Sequence, residues 1–327
     1  MSPDTVGDDL FEQSLEERLE AWRNEQYRIA SQVVVLEDPP ELNSDHRFKK
    51  VPLTDTSLAS CYYGGVDVSF PATETDPAVA VYVIMSTQKV VYRDHLYFSL
   101  EVPYIPSYLS FREMDPLEQL VRKQVSEQPT LTPRVILVDG NGILHPRGAG
   151  IACFLGVRTG IPTIGVGKSL YCEAGLSREV VQHGIDASLE ALRADLQHCA
   201  EWKSMLKKER VLFIDKQCID ASVVFKENAK NDRTACIQEL SESCGGVVIK
   251  LRGDNGQILA AALLGHGGGL GAGAGTRKPI YISVGHNISL EQAVKICASL
   301  SLARIPEPVR QADLSGRELL RKNKTVN

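Results

Sequence analysis

The chain opens with an apolar pattern of helical period. Ser14 and Glu17 have the spacing of a capping box, and apolar residues then recur at three-, four- and seven-residue intervals. These residues are Leu15, Leu19, Trp22, Ile29 and Val33. The pattern predicts an N-terminal helical extension over residues 1–40, which the Pro39-Pro40 pair ends.

Three strand patterns follow this extension. Tyr62–Phe70 alternates apolar and polar residues, and Ala78–Ser86 is a continuous apolar run. Lys89–Val102 begins after only two intervening residues, which is hairpin spacing. The three segments therefore predict consecutive strands of one sheet.

Helical and strand patterns alternate over the rest of the chain. Expected helices cover 115–127, 150–159, 289–300 and 311–321, with helical pieces around 188–208, and expected strands cover 134–139, 161–166, 247–251, 257–264 and 278–284. Three strands followed by this alternation predict an α/β fold, in which a mixed sheet is flanked by helices.

The patterning also predicts a division into parts. Residues 41–185 and 247–322 form the main domain, and residues 323–327 form a tail. Residues 186–246 have irregular patterning, polar blocks and four of the eight cysteines, so we interpret them as an insertion. The glycine-rich residues 267–275 predict a flexible surface loop.

Composition and charge narrow the class of protein. Apolar residues make up 43% and charged residues 24% of the chain, as in globular proteins. No apolar run reaches the length of a membrane span, and the acidic N-terminus resembles neither a secretory signal nor a transit peptide. We therefore expect the cytoplasm, with the nucleus or nucleolus as the alternative, and free thiols rather than disulfides. The net charge of −5 argues against avid non-specific binding of nucleic acid.

Four acidic residues stand at positions that suggest chemistry. Asp67 lies in the middle of a predicted strand, where burial of a carboxylate is costly unless it is paired or bound to metal. Asp139 ends a buried strand, Glu113 precedes a helix that we expect to start at Asp115-Pro116, and Asp313 begins the final helix. Each residue also has a purely structural explanation. Asp67 could face solvent from its strand, Asp139 could belong to an Asp-Gly turn, Glu113 could be an ordinary carboxylate at a helix end, and Asp313 could interact with the helix dipole.

Taken as a set, the four acids indicate a metal site, which none of them indicates alone. Magnesium prefers oxygen ligands and binds through a few carboxylates plus substrate phosphate. Metal-assisted cleavage of a phosphodiester requires carboxylates gathered from several elements of the fold. A strand-centre aspartate, a strand-end aspartate and two helix-borne acids can supply that set.

Longer stretches make the interpretation specific. They are GGVDVSF (64–70), PYIPSYLSFRE (103–113), VDGNGILHPRGAGIACFLGV (138–157), IPTIGVGKSL (161–170), KPIYISVGH (278–286) and RIPEPVRQAD (304–313). These stretches, and their order along the chain, resemble those of the endonuclease V family. Members of this family are inosine-directed nucleases with a ribonuclease H-like fold. The resemblance implies that the main domain is catalytic and that Asp67, Glu113, Asp139 and Asp313 are its metal-site acids.

The same stretches suggest residues that contact the substrate. Tyr104 lies in a segment that resembles the family's wedge, in which an aromatic ring enters the base stack; a packed tyrosine in a proline-bounded turn is the alternative. Lys168 resembles the family's phosphate-contacting lysine, and a nucleotide P-loop is rejected because residue 162 is proline. His145 is a secondary candidate, with a structural loop histidine as the alternative. Glycines in the same stretch would let the backbone approach an extruded base. These are Gly140, Gly142, Gly148 and Gly150.

The resemblance implies a magnesium-dependent endonuclease, with manganese as the alternative ion. Such an enzyme cuts the second phosphodiester 3′ to inosine and leaves a 5′-phosphate and a 3′-hydroxyl. The long insertions favour inosine-containing single-stranded RNA as the substrate. Deoxyinosine in DNA is the alternative substrate, and an inactive nucleic-acid-binding scaffold is the non-enzymatic alternative. We expect a monomer that does not bind membranes.

Overall fold

The structure, a computed structural model, describes residues 5–37, 61–73, 76–86, 89–197, 211–220, 246–264 and 278–324. These ranges contain six α-helices, one short 3-10 helix (Pro129–Leu131) and nine strands. The helices are α1 (Thr5–Gln32), α2 (Ser110–Glu127), α3 (Ile151–Thr159), α4 (Arg178–Gln197), α5 (Leu290–Ser299) and α6 (Glu307–Lys324). The strands are β1 (Tyr62–Ser69), β2 (Ala78–Ser86), β3 (Lys89–Phe98), β4 (Val135–Asp139), β5 (Thr163–Gly167), β6 (Val211–Asp220), β7 (Gly246–Arg252), β8 (Ile258–Leu264) and β9 (Ile280–His286).

The strands form one mixed sheet in the order β3-β2-β1-β4-β5-β9-β8-β7-β6. The central strands β1, β4 and β5 are parallel to each other, while β2 and β3 add antiparallel pairs at one side. This arrangement confirms the predicted α/β fold with a mixed sheet and flanking helices. It also places the carboxyl ends of β1 and β4 side by side, where sheets of this kind form ligand sites.

Helices α1, α2 and α3 cover one face of the sheet. The apolar face of β1 and β4 meets Leu117 and Val121 of α2 and Phe154 of α3, and Ile29 of α1 joins the same core. All four side chains are nearly or fully buried. Burial of this apolar surface is the main contribution that holds the three helices against the sheet.

Helices α5 and α6 pack on the opposite face. Val294 and Cys297 of α5 lie in a core with residues of β4, β5 and β9. Ala312 of α6 contacts the alternate residues Val79, Val81 and Val83 of β2. Since α6 also crosses β1, a residue near its first turns comes to lie over the centre of the sheet.

Several elements begin or end at residues other than those predicted, and helix α4, expected around 188–208, covers Arg178–Gln197. Helix α2 begins at Ser110 instead of Asp115, so Glu113 lies in its first turn, because aromatic packing of Phe111 on Trp22 of α1 fixes the earlier turn. Helix α6 begins at Glu307 and has proline at its second position, as helix N-termini accept. Strand β3 ends at Phe98 rather than at residue 102.

The predicted division of the chain stays a prediction. Helix α4 runs across the expected boundary at residue 186, and β6, which lies within 186–246, pairs in parallel with β7. The glycine-rich residues 267–275 lie outside the described residues. Within the described ranges, none of the helices combines the length and apolar character that crossing a bilayer requires.

Candidate functional site

The alternation of β1 directs Asp67 towards α6. Residues 63, 65, 67 and 69 share one face of the strand, and on that face a β-carbon added to Gly65 would lie 2.2 Å from the carbonyl carbon of Pro308. A β-carbon added to Gly316 would likewise lie 2.4 Å from Oγ of Ser69. The small residues therefore let α6 lie directly on β1, which brings Asp313 to the strand.

Strand register places the second aspartate beside the first. Val66 of β1 is opposite Val138 of β4, so Asp67 and Asp139 follow at the same level of the sheet. One carboxylate oxygen from each of Asp67, Asp139 and Asp313 lies within 4.8 Å of the others. The structure thus brings together three of the four acids on which the sequence analysis settled.

Burial and repulsion between neighbouring carboxylates raise the pKa of Asp67 in this cluster. Asp67 is only 6% exposed and accepts a hydrogen bond from Oγ of Ser69 at 3.3 Å. Burial, followed by the neighbouring carboxyl of Asp139, raises the pKa of Asp67 to about 8. Three carboxylates in so small a volume repel each other unless positive charge is added.

Lys168 supplies one positive charge to the cluster. Its Nζ atom lies 2.5 Å from Oδ2 of Asp139 and 3.7 Å from Oδ1 of Asp313. Burial lowers the pKa of Lys168, but the carboxylates around it, chiefly that of Asp139, raise it above its ordinary value. Arg304 donates to the backbone carbonyl of Lys168, so the lysine that follows β5 is also fixed through its main chain.

Glu113 lies outside the three-aspartate cluster. It is buried in the first turn of α2, and burial, followed by the charge of Asp139, raises its pKa to about 8. The neighbouring guanidinium of Arg112 lies over the ring of Phe70, 4.9 Å from its centroid. Glu113 is therefore close enough to feel the charge of Asp139, but its carboxylate does not join the group that is within 4.8 Å.

The donor chemistry of the cluster fits a hard divalent cation. All three side chains offer carboxylate oxygens, the ligands that magnesium and manganese accept. Among the described residues, this is the one group of three or more acidic, histidine or cysteine side chains that is arranged closely enough to hold a metal ion. A bound divalent cation would offset the repulsion between the three closely spaced carboxylates.

Tyr104 is exposed on the surface of the protein. Its side chain is 65% exposed, in the irregular segment between β3 and α2. The exposed prolines Pro103 and Pro106 limit the backbone freedom of this segment on both sides. An exposed aromatic ring on a backbone of limited freedom is suited to stacking on a base.

Three of the four candidate glycines are required by packing within the protein. A β-carbon on Gly142 would lie 2.0 Å from the carbonyl oxygen of Val284, one on Gly150 would lie 2.3 Å from the carbonyl oxygen of Asn141, and one on Gly140 would lie 2.5 Å from the side chain of Ile151. Gly148 has a φ of +65°, which favours glycine whatever surrounds it. A role for these glycines at a base stays a prediction.

His145 is buried, and both of its ring nitrogens face protein groups. Nε2 lies 3.0 Å from the carbonyl oxygen of Ser107, and Nδ1 accepts from the backbone N–H of Arg147 at 3.3 Å. Burial, followed by the charge of Arg147, lowers the pKa of His145 to about 4. The ring also stacks on Tyr171, with 5.8 Å between centroids, so a contact of His145 with substrate would use the ring edge or face rather than a free nitrogen.

Sequence reasoning missed residues that support the site indirectly. Arg317 donates to Asp313 at 2.9 Å from one turn further along α6, and the i, i+4 spacing is a signal that could have identified it. Ser69, the hydrogen-bond donor to Asp67, shares the strand face of Asp67 and was visible in the alternation. Gln26 and Arg147, which contact Ser107, gave no sequence signal.

Comparison with known proteins relates the chain to one family. Residues 46–215 and 238–314 match the model of the family described as Endonuclease V. Endonuclease V of Mus musculus is 34% identical over 309 residues, which cover 94% of this chain and 71% of the mouse protein. Endonuclease V of Homo sapiens is 33% identical over 310 residues, which cover 94% of this chain and 85% of the human protein.

Solved structures give the same relationship. The catalytic domain of human Endonuclease V superposes with a TM-score of 0.64 at 32% identity, covering 95% of this chain and 99% of that one. Endonuclease V of Ciona intestinalis, in complex with a 24mer DNA that contains an inosine followed by a ribo-adenosine, superposes with a TM-score of 0.64 at 27% identity. That alignment covers 94% of this chain and 99% of the Ciona chain.

Proposed function

The chain belongs to the endonuclease V family, and from this premise we propose that it is a metal-dependent endonuclease that cuts inosine-containing single-stranded RNA. The observation that carries the proposal is the cluster of Asp67, Asp139 and Asp313, with carboxylate oxygens within 4.8 Å of one another. The stretches of sequence that resemble the family contain these three acids, and they also contain Lys168 and Tyr104.

The acid cluster is the proposed metal site. Asp67, Asp139 and Asp313 would hold magnesium, or manganese as the alternative, and Glu113 would act as the fourth acid. When bound, a divalent cation supplies a water of lowered pKa and neutralises charge on the phosphate. The buried position of Asp67 and its hydrogen bond from Ser69 fix the direction of this carboxylate before any ion arrives.

The remaining residues act on the strand. Lys168 carries a positive charge at the edge of the acid cluster, where it would donate to a phosphate oxygen and stabilise the charge that develops during in-line attack. Tyr104, exposed and flanked by prolines, would stack in place of the extruded inosine. We place the cut at the second phosphodiester on the 3′ side of inosine, leaving a 5′-phosphate and a 3′-hydroxyl.

The base pocket would distinguish inosine by hydrogen bonding and by size. Inosine presents a keto oxygen and a ring N–H, which adenine lacks, but no exocyclic amine like that of guanine. A close backbone-lined pocket can therefore reject adenine through unpaired polar groups and guanine through fit. The loop that contains Gly140, Gly142 and Gly148 is our candidate for this lining.

RNA is our preferred substrate, and DNA that contains deoxyinosine is the second candidate. The Ciona relative was crystallised with DNA in which the residue after inosine is a ribonucleotide. A 2′-hydroxyl at that position is what distinguishes RNA from DNA near the cut. Since the rest of that strand is DNA, a deoxyinosine substrate stays the alternative.

Four matched oligonucleotides test the proposal. Each is 5′-labelled and single-stranded, as RNA or DNA, with either one inosine or adenosine at the same position. With magnesium, we expect the inosine RNA to be cut at the second phosphodiester, the inosine DNA to be cut more slowly, and both adenosine strands to stay intact. Chelation of the metal should stop cutting.

Other results would redirect the assignment. Faster cutting of inosine DNA than of inosine RNA would favour the DNA-directed alternative. Binding of all four strands without cutting, by a folded protein in magnesium or manganese, would favour the inactive scaffold. Cutting of adenosine strands at the same rate would contradict inosine recognition.

A further inference from the structure

Ser107 lies at the end of the Tyr104 segment and adopts an unusual backbone conformation. Its φ is +66°, in the left-handed region that residues other than glycine seldom occupy. Such a conformation persists only where surrounding contacts hold it. The chain leaves this residue directly into the turn that starts α2.

Side chains from two other parts of the chain hold Ser107. Gln26 of α1 donates to the Ser107 carbonyl oxygen at 2.8 Å. Arg147 donates to the same oxygen at 2.9 Å and to Oγ of Ser107 at 2.7 Å. Because Nδ1 of His145 accepts from the Arg147 backbone, Nε2 carries the ring proton and can donate to the same carbonyl at 3.0 Å.

The two main contributors are also bound to each other. Arg147 donates from Nε to Oε1 of Gln26, and Gln26 is 0% exposed. A buried polar side chain of this kind keeps a single arrangement, because any other would leave its amide without partners. Ser107 is thus held by a connected group rather than by one hydrogen bond.

Aromatic contacts extend the same attachment. Trp22, one turn before Gln26, stacks on Phe111 with 5.0 Å between centroids. The guanidinium of Arg147 lies 4.3 Å from the centroid of Tyr108. Helix α1 therefore meets both ends of the turn that joins the Tyr104 segment to α2.

We propose that Gln26 and Arg147 are positioning residues that hold the Tyr104 segment in the conformation that engages the substrate base. This inference rests on the proposed function, in which Tyr104 enters the base stack. It makes α1 a working part of base recognition, although its sequence shows only packing signals. Loss of either side chain frees Ser107 and lets Tyr104 adopt positions in which it does not contact the nucleic acid. The fraction of protein in the binding conformation falls, and affinity for the substrate falls with it.

A double-mutant cycle tests the proposal. Gln26→Ala, Tyr104→Ala and the combined variant are made in an Asp139→Asn background, so that a single-stranded inosine RNA stays uncut in magnesium, and Kd is measured by fluorescence anisotropy. Single-turnover rates at saturating enzyme are measured with the active chain. Arg23→Ala, an exposed position on α1, is the matched control.

We expect Gln26→Ala to raise Kd by about fivefold, the equivalent of one net hydrogen bond. In the Tyr104→Ala background the same change should raise Kd by less than about twofold, because the residue through which it acts is gone. The saturating single-turnover rate should fall less than Kd rises, and Arg23→Ala should match wild type. Arg147→Lys, which keeps the charge but loses the two-pronged contact, should behave like Gln26→Ala and covers the case in which Gln26→Ala does not fold.

Hydrogen exchange gives a readout that does not depend on cutting. Amides of Tyr104, Ile105, Ser107 and Tyr108 should exchange faster in Gln26→Ala and Arg147→Lys than in wild type, by a larger factor than the loss of global stability in thermal unfolding accounts for. An equal rise in Kd with and without Tyr104, or unchanged exchange of this segment, would overturn the proposal. Equal affinity of the parent protein for inosine and adenosine strands would instead contradict the proposed function.

Discussion

Substitution of Gly65 by alanine should separate the acids without touching any of them. Gly65 lies two residues before Asp67 on β1, and its added β-carbon would lie 2.2 Å from both the carbonyl carbon and the carbonyl oxygen of Pro308. Those atoms are backbone atoms of α6, so no side chain can rotate away. The helix that carries Asp313 must move instead.

The displacement follows from the contact distances. Ordinary contact of a β-carbon begins at 3.4 Å, so the start of α6 must move by about 1.2 Å relative to β1. Overpacking of this kind costs about 1–3 kcal/mol of stability. A shift of about 1 Å in a catalytic group can lower the rate on the order of 100-fold, so activity should suffer more than folding does.

The adjacent glycine provides a matched control. A β-carbon on Gly64 would point to the opposite face of the sheet, 2.9 Å from the side chain of Ile136, where α6 does not lie. Thermal unfolding and single-turnover cutting are measured for both alanine variants at saturating enzyme and magnesium. Both should melt below wild type, but Gly65→Ala alone should lose about two orders of magnitude in rate. Equal rates for the two variants would refute the role of this approach in placing Asp313.

Four further predictions follow from the geometry. Tyr104→Ala should weaken binding of an inosine strand by roughly 1–3 kcal/mol, and a saturating rate that falls as far as that of Asp67→Asn would exclude a wedge role. Lys168→Ala should lower the saturating rate and reduce the salt dependence of strand binding; unchanged values of both would argue against a phosphate contact. Burial lowers the pKa of His145 to about 4 in the folded protein, against 6.5 for the free side chain, so the unfolded state binds more protons between these two pH values. Stability should therefore fall by up to about 1.4 kcal/mol for each pH unit between pH 6.5 and pH 4, and His145 should add no further loss below that. In urea unfolding, this pH dependence should flatten in His145→Gln, and parallel curves for the variant and wild type would contradict the prediction. A short Gly/Ser linker in place of residues 221–237, a range that the family match omits, should preserve folding and cutting. The same replacement of residues 186–246 tests the predicted insertion. If only this longer replacement prevents folding, the main domain extends beyond residue 186 and includes β6.

The central strands β1, β2, β4 and β5 were largely predictable because they are buried along most of their length. Ala78–Ser86 was predicted with the bounds that the structure shows, since an uninterrupted apolar run needs a buried strand. Helix starts were less predictable. Pro116 suggested a helix that begins at Asp115, but the tertiary contact of Phe111 with Trp22 starts α2 at Ser110, and no local pattern encodes that contact.

The site was predictable in its members but not in its geometry. Asp67 and Asp139 each had a structural explanation, and the family resemblance selected them, whereas their proximity depends on the register of Val66 with Val138. The position of Asp313 depends in turn on the close approach at Gly65. The contact of Gln26 with Ser107 joins residues 81 positions apart, so it follows from the assembled fold and from no spacing in the chain.

The most direct test of the metal-site assignment is the cutting of an inosine RNA by Asp67→Asn and Asp139→Asn in saturating magnesium. Each substitution keeps the shape of the side chain and removes its charge. We predict that neither variant cuts, that both bind the strand with nearly wild-type affinity, and that calorimetry shows weakened magnesium binding. Cutting by either variant at a rate close to that of wild type would contradict the assignment of these aspartates to the metal site.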